Sequence, residues 1–370
     1  MTAEEKLALI KINAFTYLRA DWLERLLEIF GSGQEILKQT PQALSEEGKI
    51  SLETAEYFLK SALELDAEKE IENTAKVGGH IYIKGEEGYP QEFLNIKEPP
   101  LVIYVRGELN TSLAPTVAIV GTRKISPYGR RAATKLAGDL ADAGVIIVSG
   151  LARGIDSVAH AEAVKRKRPT WALIGTGIGR CYPAENKELA LGIIETGGAL
   201  ISEYPFATAP LAQHFPRRNR LIAALSRVAL IVEGKVKSGA LITAKMALEQ
   251  GLDVFAVPGP IDSPTSGGPN KLIKEGAGIC LDARDIIDAL PVNIKSTLKT
   301  QELYKEKEEV LDLSPEEAKI LNAVGDGEIT VDELSVKLNM DVPGLSTILF
   351  SLEISGYLRC EEGKYSKVKI

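Results

Sequence analysis

Between residues 117 and 259, short and wholly apolar runs recur, each ended by glycine, serine, threonine or arginine. Val117-Ala118-Ile119-Val120 runs into Gly121-Thr122-Arg123, and a helix-compatible stretch follows over residues 128–143. Val145-Ile146-Ile147-Val148 leads into Ser149-Gly150-Leu151-Ala152-Arg153-Gly154-Ile155-Asp156 and a second helical stretch. Thr170-Trp171-Ala172-Leu173-Ile174 ends in Gly175-Thr176-Gly177-Ile178-Gly179, and three more such runs begin near Ala199, Val228 and Val254. A strand with no polar alternation is buried on both faces, which requires a parallel sheet covered by helices on each side. The expected fold class is therefore α/β: a Rossmann-like, mainly parallel sheet flanked by helices. Ligands of such sheets sit at the carboxyl ends of the strands, where the glycine- and arginine-containing loops must lie.

The flanking regions read differently. Residues 4–76 are helical in pattern, with Leu7, Ile10, Leu18, Trp22, Leu23, Leu26, Leu27 and Phe30 spaced for one buried face, and Thr40-Pro41 reads as a cap followed by proline at the first helical position. Residues 1–77 are thus expected to form a small helical domain, of the SAM or helix-hairpin-helix kind. The glycine-bracketed hairpin that lets backbone approach a phosphate is absent at Asn13-Ala14-Phe15, so the reading favours packing or docking over duplex binding. His80-Ile81-Tyr82-Ile83 and Leu101-Val102-Ile103-Tyr104-Val105 are expected to extend the sheet at one edge, giving a main domain over residues 78–290. Residues 291–313 are charged and poor in large apolar groups, as a linker is. From Ser314 onward three short helices and a hairpin predict a winged-helix domain, residues 314–370, with the turn of the wing near residues 359–365. Its third helix, expected over residues 341–355, contains no Lys or Arg, which favours protein contact over reading of DNA.

The net charge of −7 argues against a nucleic-acid partner until it is divided by region. Residues 114–290 hold 22 Lys and Arg against 16 Asp and Glu, whereas residues 1–113 hold 12 against 20 and residues 314–370 hold 6 against 10. A basic middle domain can gather a polyanion at one face, because screening confines the field to about 8–10 Å. Cys181, Cys280 and Cys360 have no paired spacing, which argues against a zinc site or disulfide framework. No run approaches the roughly 18–20 apolar residues of a membrane span, and the first residues lack the basic start of a secretory signal. The expectation is a cytoplasmic protein with no membrane partner.

Each glycine loop could bring backbone amides and a helix N-terminus to a phosphate, although glycine after a strand is also a common tight turn. Gly175-x-Gly177-x-Gly179 does not satisfy the dinucleotide fingerprint, so a nicotinamide cofactor is disfavoured and no cofactor is expected. Arginine carries more information. Arg123 follows a strand end, and Arg217-Arg218-Asn219-Arg220 crowds three guanidinium groups into what reads as a loop before a helix at residues 221–226. Guanidinium pairs with phosphate and stacks on bases, which suits a sugar-phosphate chain. Lys187, near Tyr182, is a further candidate contact. Lys165-Arg166-Lys167-Arg168 falls between a helix and a strand, at the end of the sheet away from these loops, and reads as a solvated face. Asp156 and His160 stand at helical i, i+4 spacing, but no nucleophile accompanies them, which favours helix-terminus hydrogen bonding over an acid/base pair.

Taken in order, these motifs resemble those of the DNA-processing protein A (DprA/Smf) family of bacteria. The resemblance runs from Tyr89-Pro90 and Pro99-Pro100 to Val257-Pro258-Gly259 and Asn270-Lys271-Leu272-Ile273, and is most specific at residues 149–156, 215–220 and 238–244. Thr122 stands where many members have serine. The resemblance implies a non-enzymatic protein that binds single-stranded DNA in the Rossmann-like domain, protects incoming DNA, and helps a RecA-type recombinase displace single-strand-binding protein in natural transformation. It also implies a homodimer joined through the Rossmann-like domains; Leu241, Ile242, Met246, Leu248 and Val254 are candidates for that surface or for the core. Carried over by motif, the DNA contacts are Arg123, Lys187, Arg217, Arg218 and Arg220, with Gly121, Thr122, Ser149, Gly150, Gly175, Thr176 and Asn219 from the same pocket. A competing class, the lysine-decarboxylase-like phosphoribohydrolases, shares the glycine loops but carries a catalytic Glu where this chain reads Ser238-Gly239-Ala240-Leu241-Ile242-Thr243-Ala244. A third reading makes the protein mainly an adaptor with acidic terminal domains.

Overall fold

The computed structural model describes residues 1–16, 20–111, 115–298, 314–324, 328–354, 357–361 and 363–367. Leu18 of the expected helical face and residues 299–313 of the expected linker lie outside them. The chain divides into two compact units, Met1–Leu303 and Tyr304–Ile370.

In the first unit, α1 (Ala3–Ile12), α2 (Ala20–Phe30), α3 (Gly33–Leu37), α4 (Pro41–Gly48), α5 (Leu52–Glu64) and α6 (Ala67–Lys76) precede the sheet. Ser32, Thr40, Ser51 and Asp66 each cap a helix by accepting a hydrogen bond from a first-turn amide, and Pro41 opens α4 as expected. Phe15, Trp22 and Phe58 meet edge to face, with the Trp22 and Phe58 ring centroids 4.9 Å apart. This aromatic cluster continues without a break into Ile81, Val102 and Tyr104 of the sheet, so the helices share a core with it.

The sheet contains β1 (Gly79–Ile83), β2 (Val102–Gly107), β3 (Thr116–Val120), β4 (Ile146–Ser149), β5 (Thr170–Leu173), β6 (Ala199–Ser202), β7 (Val228–Ile231), β8 (Asp253–Ala256) and β9 (Gly278–Ile279). Its order is β1-β2-β6-β5-β4-β3-β7-β8-β9. From β6 to β9 all pairs are parallel; β2 joins β6 antiparallel, and β1 joins β2 antiparallel at the edge. The apolar runs occupy the middle of the sheet, and every residue of β3, β5, β6 and β7 is buried. Burying each large apolar side chain contributes about 1.5–3 kcal/mol, so a polar residue in these strands would be costly. The helices between strands are α7 (Pro127–Asp142), α8 (Ile155–Lys165), α9 (Lys187–Glu195), α10 (His214–Ala224), α11 (Gly239–Glu249) and α12 (Gly267–Lys274), followed by α13 (Ala283–Ala289) and α14 (Val292–Lys295). Helix α14 falls at the start of the expected linker.

From β3 the chain adds strands in one direction as far as β6, then returns to place β7 on the other side of β3. The loops after β3 and β7 therefore diverge and leave a crevice at the carboxyl end of the sheet. Lys165 to Arg168 connects α8 to the amino end of β5, at the far side of the sheet, where Arg166 pairs with Asp142 at 2.9 Å.

The second unit consists of α15 (Pro315–Val324), β10 (Ile329–Thr330), α16 (Val331–Leu338), α17 (Val342–Ile354), β11 (Leu358–Glu361) and β12 (Lys364–Lys367). Its three strands pair in the order β10-β12-β11, giving the expected winged helix around Ile320, Leu334, Leu345, Leu349 and Leu352. Thr330 and Glu333 form a capping box at the start of α16.

Candidate nucleic-acid interface

The crevice opens as a cleft of about 520 Å³ lined by Gly121, Thr122 and Arg123 from the loop after β3, Phe215 and Asn219 from α10, and Ser238 and Gly239 at the start of α11. Tyr182 forms one wall. The Arg123 guanidinium lies over the Phe215 ring, 5.2 Å from its centroid, and Tyr182 tilts against the same ring at 5.5 Å. Among the described residues, the Arg123 side chain has no other hydrogen-bond or ion-pair partner. Ser238 is the N-cap of α11, yet its hydroxyl makes no capping bond; this buried oxygen has no hydrogen-bond partner in the structure. Gly239 lines the cleft and has open space where a side chain would go, so no side chain shields the start of α11 there.

The floor of the cleft is a largely buried charge network, Asp156 and Arg218, that sets the loop positions. Asp156, in the first turn of α8, accepts from the Gly150 amide at 3.1 Å and from the amides of Ala152 and Gly121. One carboxylate thereby ties the loops after β3 and β4 together. Burial pushes its pKa up to about 6, opposed by the nearby Arg218 guanidinium and by those amides. Arg218 is only 4% exposed and donates to the carbonyls of Gly150, at 2.8 Å, and Leu173. Burial lowers its pKa to about 10, partly offset by Asp156. His160 is buried too, with Nδ1 2.8 Å from the Thr170 hydroxyl, and burial with help from Arg218 lowers its pKa to about 3. It is a neutral core histidine. Asp156 and His160 thus serve backbone and core hydrogen bonding, the expected alternative to an acid/base pair.

The expected contacts are not all brought together. Gly121, Thr122, Arg123, Asn219 and the nearly buried Arg218 line the cleft, Asn219 donating to the Gly239 carbonyl at 3.3 Å. Ser149 is wholly buried, its hydroxyl donating to the Ile119 carbonyl at 2.6 Å, and Gly150 is packed against the Arg218 guanidinium. Both lie under the cleft. Gly175 packs on Phe215, and Thr176, almost wholly buried, donates its hydroxyl to the Arg180 carbonyl at 3.1 Å. Lys187 begins α9 and lines a neighbouring cavity with Tyr182.

The arginine cluster requires the clearest correction. Helix α10 starts at His214, not near residue 221, so Arg217, Arg218 and Arg220 occupy a helix and not a loop. Successive helical side chains diverge by about 100°, and these three point to different places. Arg217 donates to the Thr16 carbonyl and approaches Glu203 at 3.7 Å. Arg220 forms a buried two-pronged pair with Glu203, both hydrogen bonds 2.7 Å long, and donates to the Glu98 carbonyl at 2.9 Å. Burial alone would raise the Glu203 carboxyl, but Arg220 holds it below the ordinary range. Conversely, Tyr182, Ser238 and Gly239 are cleft residues that sequence reasoning does not select as contacts. The signals for them were the aromatic Tyr182 beside Lys187 and the N-cap serine followed by glycine at a helix start.

A Rossmann-like sheet with an arginine over tilted aromatic rings and a helix N-terminus at its switch point is the architecture of an α/β protein suited to a phosphate-bearing ligand. The family model for DNA recombination-mediator protein A matches residues 80–291, and that for the DprA winged helix domain matches residues 305–364. The chain is 38% identical to Protein Smf of Escherichia coli over 290 residues, covering 78% of each, and 44% identical to DNA processing protein DprA of Bacillus subtilis over 204 residues, covering 55% of this chain and 68% of that one. The crystal structure of DNA processing protein A from Streptococcus pneumoniae is similar with a TM-score of 0.63 and 30% identity, over 76% of this chain and 96% of that one. DNA processing protein A from Helicobacter pylori, described for its single-stranded DNA binding mode, gives a TM-score of 0.51 and 31% identity, over 57% of this chain and 94% of that one. The chain belongs to the DNA-processing protein A (DprA/Smf) family.

Proposed function

We propose that the cleft binds single-stranded DNA without sequence preference and that the protein acts, without catalysis, as a recombination mediator. The observation that carries this reading is Arg123, a cation with no carboxylate partner, stacked over Phe215 at the switch point. A base can stack on the Phe215 and Tyr182 rings while its phosphate meets Arg123 and the amides at the start of α11. Backbone charge supplies affinity for any sequence. The Helicobacter pylori relative, studied for its single-stranded DNA binding, supports the same use of the fold. In this reading Gly121, Thr122, Arg123 and Asn219 touch the strand, Lys187 meets it beyond Tyr182, and Ser149, Gly150, Gly175, Thr176, Arg217, Arg218 and Arg220 hold the cleft in shape.

The strand so held would be handed to a RecA-type recombinase in exchange for single-strand-binding protein, as natural transformation in the cytoplasm requires. A homodimer would set two clefts side by side. Of the residues considered for its surface, Val254 is buried in the core, whereas Ile242 and Leu248 are exposed beside a groove of about 670 Å³ between α11 and α12, which favours that face. The decisive measurement is fluorescence anisotropy of labelled oligo-dT against a duplex of equal length, at low and moderate salt. Wild type should prefer the single strand, and Arg123→Ala should lose at least tenfold in affinity while melting normally. Equal binding of duplex and single strand, or an unaffected Arg123→Ala, would overturn the assignment.

A further inference from the structure

Beyond Tyr182 lies a second cavity, of about 130 Å³. Ile174, Ile178, Ala190 and Leu200 give it an apolar floor. Three cations line it, Arg106 on β2, Arg180 and Lys187, and none of its lining residues is acidic. Arg180 donates Nε to the Ala207 carbonyl at 2.7 Å, whereas the side chains of Arg106 and Lys187 have no hydrogen-bond or ion-pair partner among the described residues. The acid on the same segment, Glu185, is taken up by Arg153 at 2.6 Å, and the exposed Glu188 is not among the lining residues. Tyr182 lines both this cavity and the central cleft.

Two unpaired cations over an apolar floor fit a ligand that is flat and apolar in one part and anionic in another. A nucleotide has that division, and the shared Tyr182 wall makes the next nucleotide of a strand in the central cleft the nearest source of one. We propose that this cavity is a second base pocket: an unpaired base enters it past Tyr182, and the flanking phosphates pair with Arg106 and Lys187. The inference rests on reading the central cleft as a single-stranded DNA site, and adds to it a strand direction, from α11 across Phe215 and Tyr182 toward α9.

The test is an anisotropy series with full-length protein and oligo-dT of increasing length, comparing wild type with Arg106→Gln and Leu191→Glu. Leu191 is on the rim and 40% exposed, so a carboxylate there repels a phosphate without disturbing the core. Both variants should bind the shortest oligomer retained by wild type equally well, and should fall about tenfold behind wild type on longer oligomers, the loss of one stacked base with its phosphate contact. Equal losses at all lengths, or none at any length, would overturn the second pocket while leaving the central cleft standing. Absence of oligo-dT binding by wild type would instead remove the cleft reading, and this one with it.

Discussion

Replacing Arg218 by alanine would leave the Asp156 carboxylate buried without its guanidinium and the Gly150 and Leu173 carbonyls without their donor. A buried acceptor left without its donor costs about 1–3 kcal/mol, and two are orphaned here. Arg218→Ala should therefore lower the urea midpoint sharply, whereas Arg123→Ala, which gives up only an aromatic contact of about 0.5–1 kcal/mol, should barely move it. The Asp156 carboxyl predicts a pH dependence as well. Its pKa is raised on folding from 3.8 to about 6, so the folded state holds the proton more tightly between those values. This group's contribution to stability thus declines as pH rises from about 4 to about 6 and is constant above. The melting temperature of wild type relative to Asp156→Asn should fall across that window; a flat difference would refute the buried ionisation. The sequence makes Arg217, Arg218 and Arg220 visible as a cluster but not their divergence. Their partners, Glu203 and the carbonyls of Gly150 and Leu173, come from strands and loops that only the tertiary fold brings near.

Among the elements, the interior strands were legible because burial on both faces leaves unbroken apolar runs, and the capped helices because Thr40-Pro41 and Thr330-x-x-Glu333 carry their caps in sequence. The start of α10 was not legible, since its N-cap Gln213 makes no side-chain capping bond and Pro216 reads as a loop residue. The connections between strands make separate predictions for two glycines. Gly154 precedes α8 with φ of +83°, and a Cβ there would overlap the Thr122 carbonyl oxygen. Gly154→Ala should cost about 1–3 kcal/mol and displace the loop carrying Arg123, so stability and oligo-dT affinity should fall together. Gly239 has open space where a side chain would go. Gly239→Val should fold normally yet bind oligo-dT roughly tenfold more weakly, by shielding amides that would otherwise make charge-assisted hydrogen bonds to phosphate. Parallel melting and binding measurements on the pair separate the two effects.

At the scale of the whole chain, the charge that opposes DNA binding and the charge that promotes it belong to different regions, residues 114–290 being the basic one. The winged-helix unit has its own core, and α17 contains no Lys or Arg while exposing Phe350 at 62% and Ile354 at 72%. Such a face has nothing with which to neutralise a phosphate. Counterion release depends on phosphates neutralised locally and not on net charge, with log K falling against log salt at about −0.7 per phosphate for single strands. If two to three phosphates meet Arg123, Lys187 and Arg106, the slope should lie between about −1.4 and −2.1. A chain ending at residue 303 should then reproduce the affinity and salt slope of the full-length protein within twofold, despite its different net charge. A steeper slope for the full-length chain would mean that the winged helix itself contacts DNA, and the absence of cations on α17 would have to be outweighed by the wing, where Lys364 and Lys367 lie.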